Sequence, residues 1–124
     1  MTASAVGLDA GLPRHYVRCC LALLVAEAPA HGYQLMEEIA ALGVRCSDAG
    51  FVYRTLRAME ADQHLVSCWE ESTSGPARRT YRLTGVGAEW LAQSAGALAG
   101  THGCLSSYLQ RHQHLTHYKE KPVP

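Results

Sequence analysis

Hydrophobic positions fall into helical spacing three times in the first half of the chain. Between Arg14 and Ala28, Val17, Cys20, Leu21 and Leu24 recur at i, i+3, i+4 and i+7, the apolar stripe of a helix that Pro29 stops. A second helix is predicted from Gly32 to about Leu42, with Leu35, Ile39 and Leu42 on one face, Glu37 and Glu38 on another, and Gly43 as its C-terminal stop. After a short turn from Gly43 to Ser47, Ser47 or Asp48 can cap a third helix. This helix runs to about Asp62, buries Val52, Leu56 and Met59, and leaves Gly50, Arg54 and Arg57 turned outward.

Leu65 to Glu71 and Arg79 to Leu83 then read as two strands joined by Ser72-Thr73-Ser74-Gly75-Pro76, a turn rich in Gly, Pro and small polar residues. Two short helices with a tight turn, the second capped and presenting arginines, form a helix-turn-helix. A hairpin directly after it is a wing. From Gly85 to about His117 helical spacing returns: Leu91, Ala95, Leu98, His102, Leu105, Leu109 and His112 alternate steps of four and three, the seam of helices that pair. So small a domain has no use for that stripe unless a second subunit covers it, and winged helices that read sequence bind half-sites as two-fold dimers. Gly96, Gly100 and Gly103 each cost on the order of 1 kcal/mol inside a helix, so this segment is expected to be bent, broken or closely packed through its small residues. The expected fold is α+β, mostly α: an N-terminal arm over 1–13, a winged helix-turn-helix domain over 14–84, a C-terminal dimerisation helix over 85–117 and a flexible tail over 118–124.

With 124 residues, 48% of them hydrophobic, the chain is one domain's worth. The longest apolar run, Cys19 to Ala26, falls far short of the roughly 20 residues of a membrane-spanning helix. Met1 to Pro13 lacks the basic and apolar regions of an export signal, so a cytoplasmic protein with no membrane partner is expected. Eleven basic and eleven acidic residues cancel, and binding to nucleic acid must come from local clustering. That clustering is present: Arg45, Arg54 and Arg57 on the helical arm and Arg78, Arg79 and Arg82 on the hairpin hold six of the eleven basic residues. All six are Arg, which suits bidentate contact with phosphate and guanine. Five cysteines without CxxC spacing argue against a disulfide framework or a zinc knuckle, and Cys19, Cys20 and Cys46 read as small core residues.

The string Leu23-Leu24, Pro29, His31-Gly32-Tyr33-Gln34-Leu35, then Gly50-Phe51-Val52-Tyr53-Arg54-Thr55-Leu56-Arg57, Ser74-Gly75-Pro76, Arg78-Arg79, Tyr81 and Leu83-Thr84 resembles the PadR family of transcriptional regulators. The resemblance covers about Tyr16 to Leu91. It implies a winged helix-turn-helix homodimer, usually a repressor, whose third helix enters the major groove of double-stranded operator DNA while the wing touches flanking backbone or minor groove. It also implies a dimer interface on the C-terminal helix. The expected DNA-binding residues are Ser47, Gly50, Tyr53, Arg54 and Arg57 with Arg78 and Arg79 of the wing. The family usually places a single Gly before the Leu-Val that opens the hairpin. Here Asp62 is followed by Gln63-His64-Leu65-Val66, one residue longer and without the Gly that readily takes a left-handed turn.

Trp90 opens the C-terminal helix and is either interface core or a wall of a cavity for a flat, hydrophobic or aromatic effector. His102 and Cys104 are the candidate ligands of a metal or haem shared across a dimer, or an oxidation-sensitive pair; no single subunit offers a tetrahedral set from its histidines. No cofactor is certain. Neither GxSxG nor HExxH occurs, and no Ser, Cys and His form a known catalytic motif, so no enzyme is expected. A winged helix that binds protein is the remaining alternative, favoured if Arg54 and Arg57 are buried or paired with Glu60 and Glu37.

Overall fold

Leu21, Leu35, Val44, Val52 and Leu56 meet at a point wholly shut off from solvent, and the arrangement around them follows from the stripes that carry them. In this computed structural model, residues 12–13, 15–44, 49–72 and 75–115 are described. The element order is α1 (Tyr16–Glu27), β1 (Ala30–His31), α2 (Gly32–Glu38), a 3-10 turn (Ile39–Leu42), α3 (Ala49–Ala61), β2 (Leu65–Ser72), β3 (Gly75–Leu83) and α4 (Gly85–Gln113).

Each predicted stripe is buried largely as expected. Val17, Cys20 and Leu21 of α1, Leu35 and Ile39 of the second helical segment and Val52, Leu56 and Met59 of α3 form one core, with Leu24 and Leu42 packed half-buried against it. The second helical segment tightens after Glu38 into the 3-10 turn. Gly43 ends it in the left-handed conformation, φ 87° and ψ 11°, which a residue lacking Cβ adopts without clash. The Tyr16 hydroxyl donates to the Leu42 carbonyl at 2.8 Å and ties the start of α1 to this turn.

The sheet has three antiparallel strands in the order β1-β3-β2. β1, absent from the expectation, is two residues pairing Ala30 with Tyr81 and His31 with Thr80. The hairpin is also longer than expected: β3 begins at Gly75 rather than Arg79, and Ser72 pairs with Gly75 after an irregularity between Glu70 and Ser72. Ladder hydrogen bonds thus extend through residues whose Gly, Pro and Ser content reads as loop.

Between α3 and β2 the chain closes with a left-handed residue in spite of its side chain. Gln63 stands at φ 65°, the Gln63 N–H donates to Glu60 O and the His64 N–H to Met59 O, both at 2.9 Å. This is the Schellman pattern in which Gly is preferred at the left-handed position. The same turn anchors α4. Thr84 caps that helix by accepting the Gly87 N–H at 2.9 Å, its hydroxyl donates to the Gln63 carbonyl at 2.5 Å, and its own N–H donates to the His64 carbonyl at 3.0 Å. Gly87 is required here, because a Cβ would run into the His64 carbonyl.

α4 is one uninterrupted helix of 29 residues, about 44 Å long at 1.5 Å per residue. The expected break is therefore corrected: the helix runs on through its glycines. Gly96, Gly100 and Gly103 would each have open space around a Cβ, and the alanines and leucines between them favour helix enough to carry the chain through. The first part of its apolar stripe lies against its own α1: Leu91, Ala95 and Leu98 line a cleft of about 230 Å³ with Tyr16, Cys19 and Leu23. Farther along, Leu105, Tyr108 and Leu109 are more than half exposed.

Candidate DNA-binding surface

α3 buries Val52, Leu56 and Met59 completely, and at 100° per residue this fixes what its other side presents. Arg54 and Arg57 are exposed and Gly50 is half-buried at the first turn. Tyr53 is half-buried, its ring laid across the start of α2. A Cβ on Gly32 would stand 2.5 Å from Tyr53 Cε1, so the glycine of the His31-Gly32-Tyr33 string makes room for this aromatic. Ser47, with Arg45, Cys46 and Asp48, lies outside the described residues, as do Thr73 and Ser74 of the expected turn.

Of the conditions that would have favoured a protein-binding module, burial of the two arginines is not met: both are exposed. Glu60 accepts from the Ser67 hydroxyl at 2.7 Å and lies 3.9 Å from Arg79. The Tyr81 phenol beneath this group is pushed up from its ordinary range by burial and by the Glu60 charge, partly countered by a hydrogen bond from Arg79. Glu60 thereby joins α3 to the hairpin and sets the wing's position relative to the helix.

The two wing arginines differ in their surroundings. Arg79 stands between Glu60 and Trp69, its guanidinium 5.2 Å from the indole centre, a distance at which ring and cation attract. Arg78 reaches back to the start of α2, where its Nη1 lies 3.2 Å from His31 Nε2. A guanidinium only donates, so in this contact Nε2 is the acceptor. His31 also stacks on Tyr33, with centroids 5.1 Å apart and planes within 3°. Arg82, the third hairpin arginine, faces Glu70 at 3.8 Å across the sheet, and that contact offsets its charge. Sequence reading passed over Trp69. The available signal was an aromatic in the middle of a strand, two positions after the half-buried Ser67 and therefore on the same face as Tyr81 and Arg79.

Trp90, His102 and Cys104 lie away from this surface. Trp90 is half-buried, stacked on His64 with centroids 5.1 Å apart and with the Arg18 guanidinium 5.8 Å from its ring centre. Arg18 in turn holds Asp62 at 2.8 Å. His102 and Cys104 are exposed on α4; two positions apart, they leave the helix about 200° from one another. Among the described residues no group of three His, Cys, Asp or Glu side chains is placed to hold a metal ion, and no helix is long and apolar enough to cross a membrane.

Three helices on one core, a third helix with outward arginines and a hairpin wing held to that helix through Glu60 define a winged helix-turn-helix DNA-binding fold. The profile of the transcriptional regulator PadR-like family matches residues 20–93, more than half of the chain, and the protein belongs to that family. The solved PadR-like transcriptional regulator of Bacillus cereus is 21% identical, with a TM-score of 0.71 over 78% of this chain and 94% of that one. A PadR family transcriptional regulator from Eggerthella lenta is 26% identical, with a TM-score of 0.61 over 77% of this chain and 87% of its own. A PadR-like transcription factor from Bacteroides fragilis is 24% identical, with a TM-score of 0.64 over 77% and 91%. No curated protein matches the sequence.

Proposed function

We propose that this PadR-like regulator is a homodimeric repressor working in the cytoplasm, with α3 in the major groove of its operator and the hairpin on the flanking backbone. The observation that carries the reading is the exposure of Arg54 and Arg57 on the face of α3 opposite its buried stripe. Tyr53 supplies packing and a phosphate hydrogen bond, Gly50 and Ser47 let backbone and hydroxyl approach the strand, and Arg78 and Arg79 hold the wing to phosphates. The exposed Leu105 and Leu109 of α4 support a two-fold partner along that helix. Repression, and release by a flat hydrophobic effector beside Trp90, follow the family pattern. Such an effector acts only by binding one dimer geometry more tightly than another and so changing the separation of the two α3 helices.

The test is a salt series of binding to DNA upstream of the protein's own gene and to unrelated DNA. Arg57→Ala is expected to weaken binding to both and to lower the salt slope by about one, whereas Arg54→Ala costs about 1–3 kcal/mol on the specific site and relaxes preference at one position. Unchanged binding in both variants would refute α3 as the reading helix.

A further inference from the structure

Trp69 is the largest exposed side chain of the wing and has no part in the DNA contacts proposed above. It is 66% exposed and stands directly across the β2–β3 ladder from Arg79. Its indole forms one wall of a shallow cleft of about 410 Å³ that also takes in His31, Tyr33, Tyr53, Arg78 and Arg79. The stacked pair His31 and Tyr33 forms another part of the lining. Among the described residues, no carboxylate lines it. Two cations and four flat rings thus share one opening that runs from the wing to Tyr53 of α3. Both guanidiniums are held in place, Arg78 by His31 Nε2 at 3.2 Å and Arg79 over the indole at 5.2 Å.

An occupant has to be anionic and has to offer apolar surface between its charges. A nucleic-acid strand does so, because sugars alternate with phosphates along it. We propose that this cleft seats the backbone of one DNA strand beside the groove that α3 enters, with the Trp69 indole packed on a deoxyribose and Arg78 and Arg79 on adjacent phosphates. The proposal rests on the DNA-binding reading above and adds Trp69 as a contact that carries no charge. It therefore separates from the arginines in salt dependence: an indole displaces no counterion, whereas each phosphate-bound arginine does.

The experiment uses the tightest duplex that the full-length protein recovers from a random-sequence pool, together with an unrelated duplex. Trp69→Ala should weaken both by about tenfold, in the range of stacking contacts to nucleic acid, with the salt slope unchanged. Trp69→Phe should keep most of the affinity, and the change in tryptophan emission on adding duplex to the unaltered protein should be lost in this variant. Removing the indole also frees Arg79, so Trp69→Ala is remade in an Arg79→Ala background. Direct contact predicts a further loss there. No further loss would reduce Trp69 to a positioning residue for Arg79 and overturn the proposal. Equal binding by Trp69→Ala and the unaltered protein would overturn this contact alone, and failure of the unaltered protein to recover any duplex would overturn it together with the regulator reading.

Discussion

Leu21, Leu35 and Leu56 of the winged domain are fully closed off from solvent, whereas Leu105 and Leu109 of α4 remain 55% and 57% exposed. Both sets were marked by the same helical spacing. In the winged domain three stripes face each other and the hairpin closes the remaining side through Leu65 and Tyr81. Along α4 the stripe divides: Leu91 and Leu98 lie against α1, and beyond them no described residue of the helix is buried, its one buried residue, Gly87, standing at the first turn. Periodicity therefore shows which residues need cover and leaves open which part of the molecule supplies it.

Truncating one leucine from each region should divide them most strongly. Leu56→Ala removes a fully buried side chain and should cost about 2–5 kcal/mol in urea unfolding, the range for a core cavity. That loss should not depend on protein concentration. Leu109→Ala removes area that is exposed within one chain, so its cost should appear only through association and grow as concentration approaches the dissociation constant of the proposed dimer. If Leu109→Ala has no concentration-dependent effect, α4 has no subunit partner along that stripe.

Where the sequence was legible and where it was not follows the same division. Val52, Leu56 and Met59 could be assigned to the core because three positions on a 13-residue helix set a face unambiguously. β1 escaped because two residues cannot express a period, and it exists only because β3 offers Tyr81 and Thr80 as partners. The early start of β3 at Gly75 has a similar cause, since pairing with β2 overrides the local preference of Gly and Pro. For the site, the outward positions of Arg54 and Arg57 follow from the buried face. The different environments of Arg78 and Arg79 do not, because His31, Trp69 and Glu60 are brought to them by tertiary structure. The continuity of α4 through its glycines was also hidden, since a propensity cost of this size is easily outweighed by neighbouring residues.

The join between the two regions offers a smaller effect of opposite sign. Gln63 holds φ 65°, where a side chain meets its own backbone at a cost of roughly 1–2 kcal/mol and glycine does not. Gln63→Gly also gives the unfolded chain more freedom, which offsets part of the gain. The net expectation is a stabilisation of about 0.5–1 kcal/mol, read as a raised thermal midpoint with α4 still seated on the Gln63 and His64 carbonyls. A lowered midpoint would mean that the Gln63 side chain contributes more than its backbone conformation costs.

The smallest effect concerns the ion pair that crosses this join. Arg18 holds the Asp62 carboxyl below its ordinary range, first through the hydrogen bond and then through its charge, at 2.8 Å. Because Arg18 also lies over Trp90, the pair links α1, the end of α3 and the first turns of α4. A carboxyl whose folded value is depressed stabilises the fold fully above its unfolded value of about 4, and this contribution is lost as pH falls through the lower folded value. Asp62→Asn should therefore lower the thermal midpoint by a small, constant amount from about pH 7 to about pH 5, and the gap to the unaltered protein should close below about pH 4. Asp62 is exposed, so added salt should shrink that gap at neutral pH by screening the charges. Parallel curves down to about pH 3 would assign the difference to lost hydrogen bonding or packing rather than to the charge of Asp62.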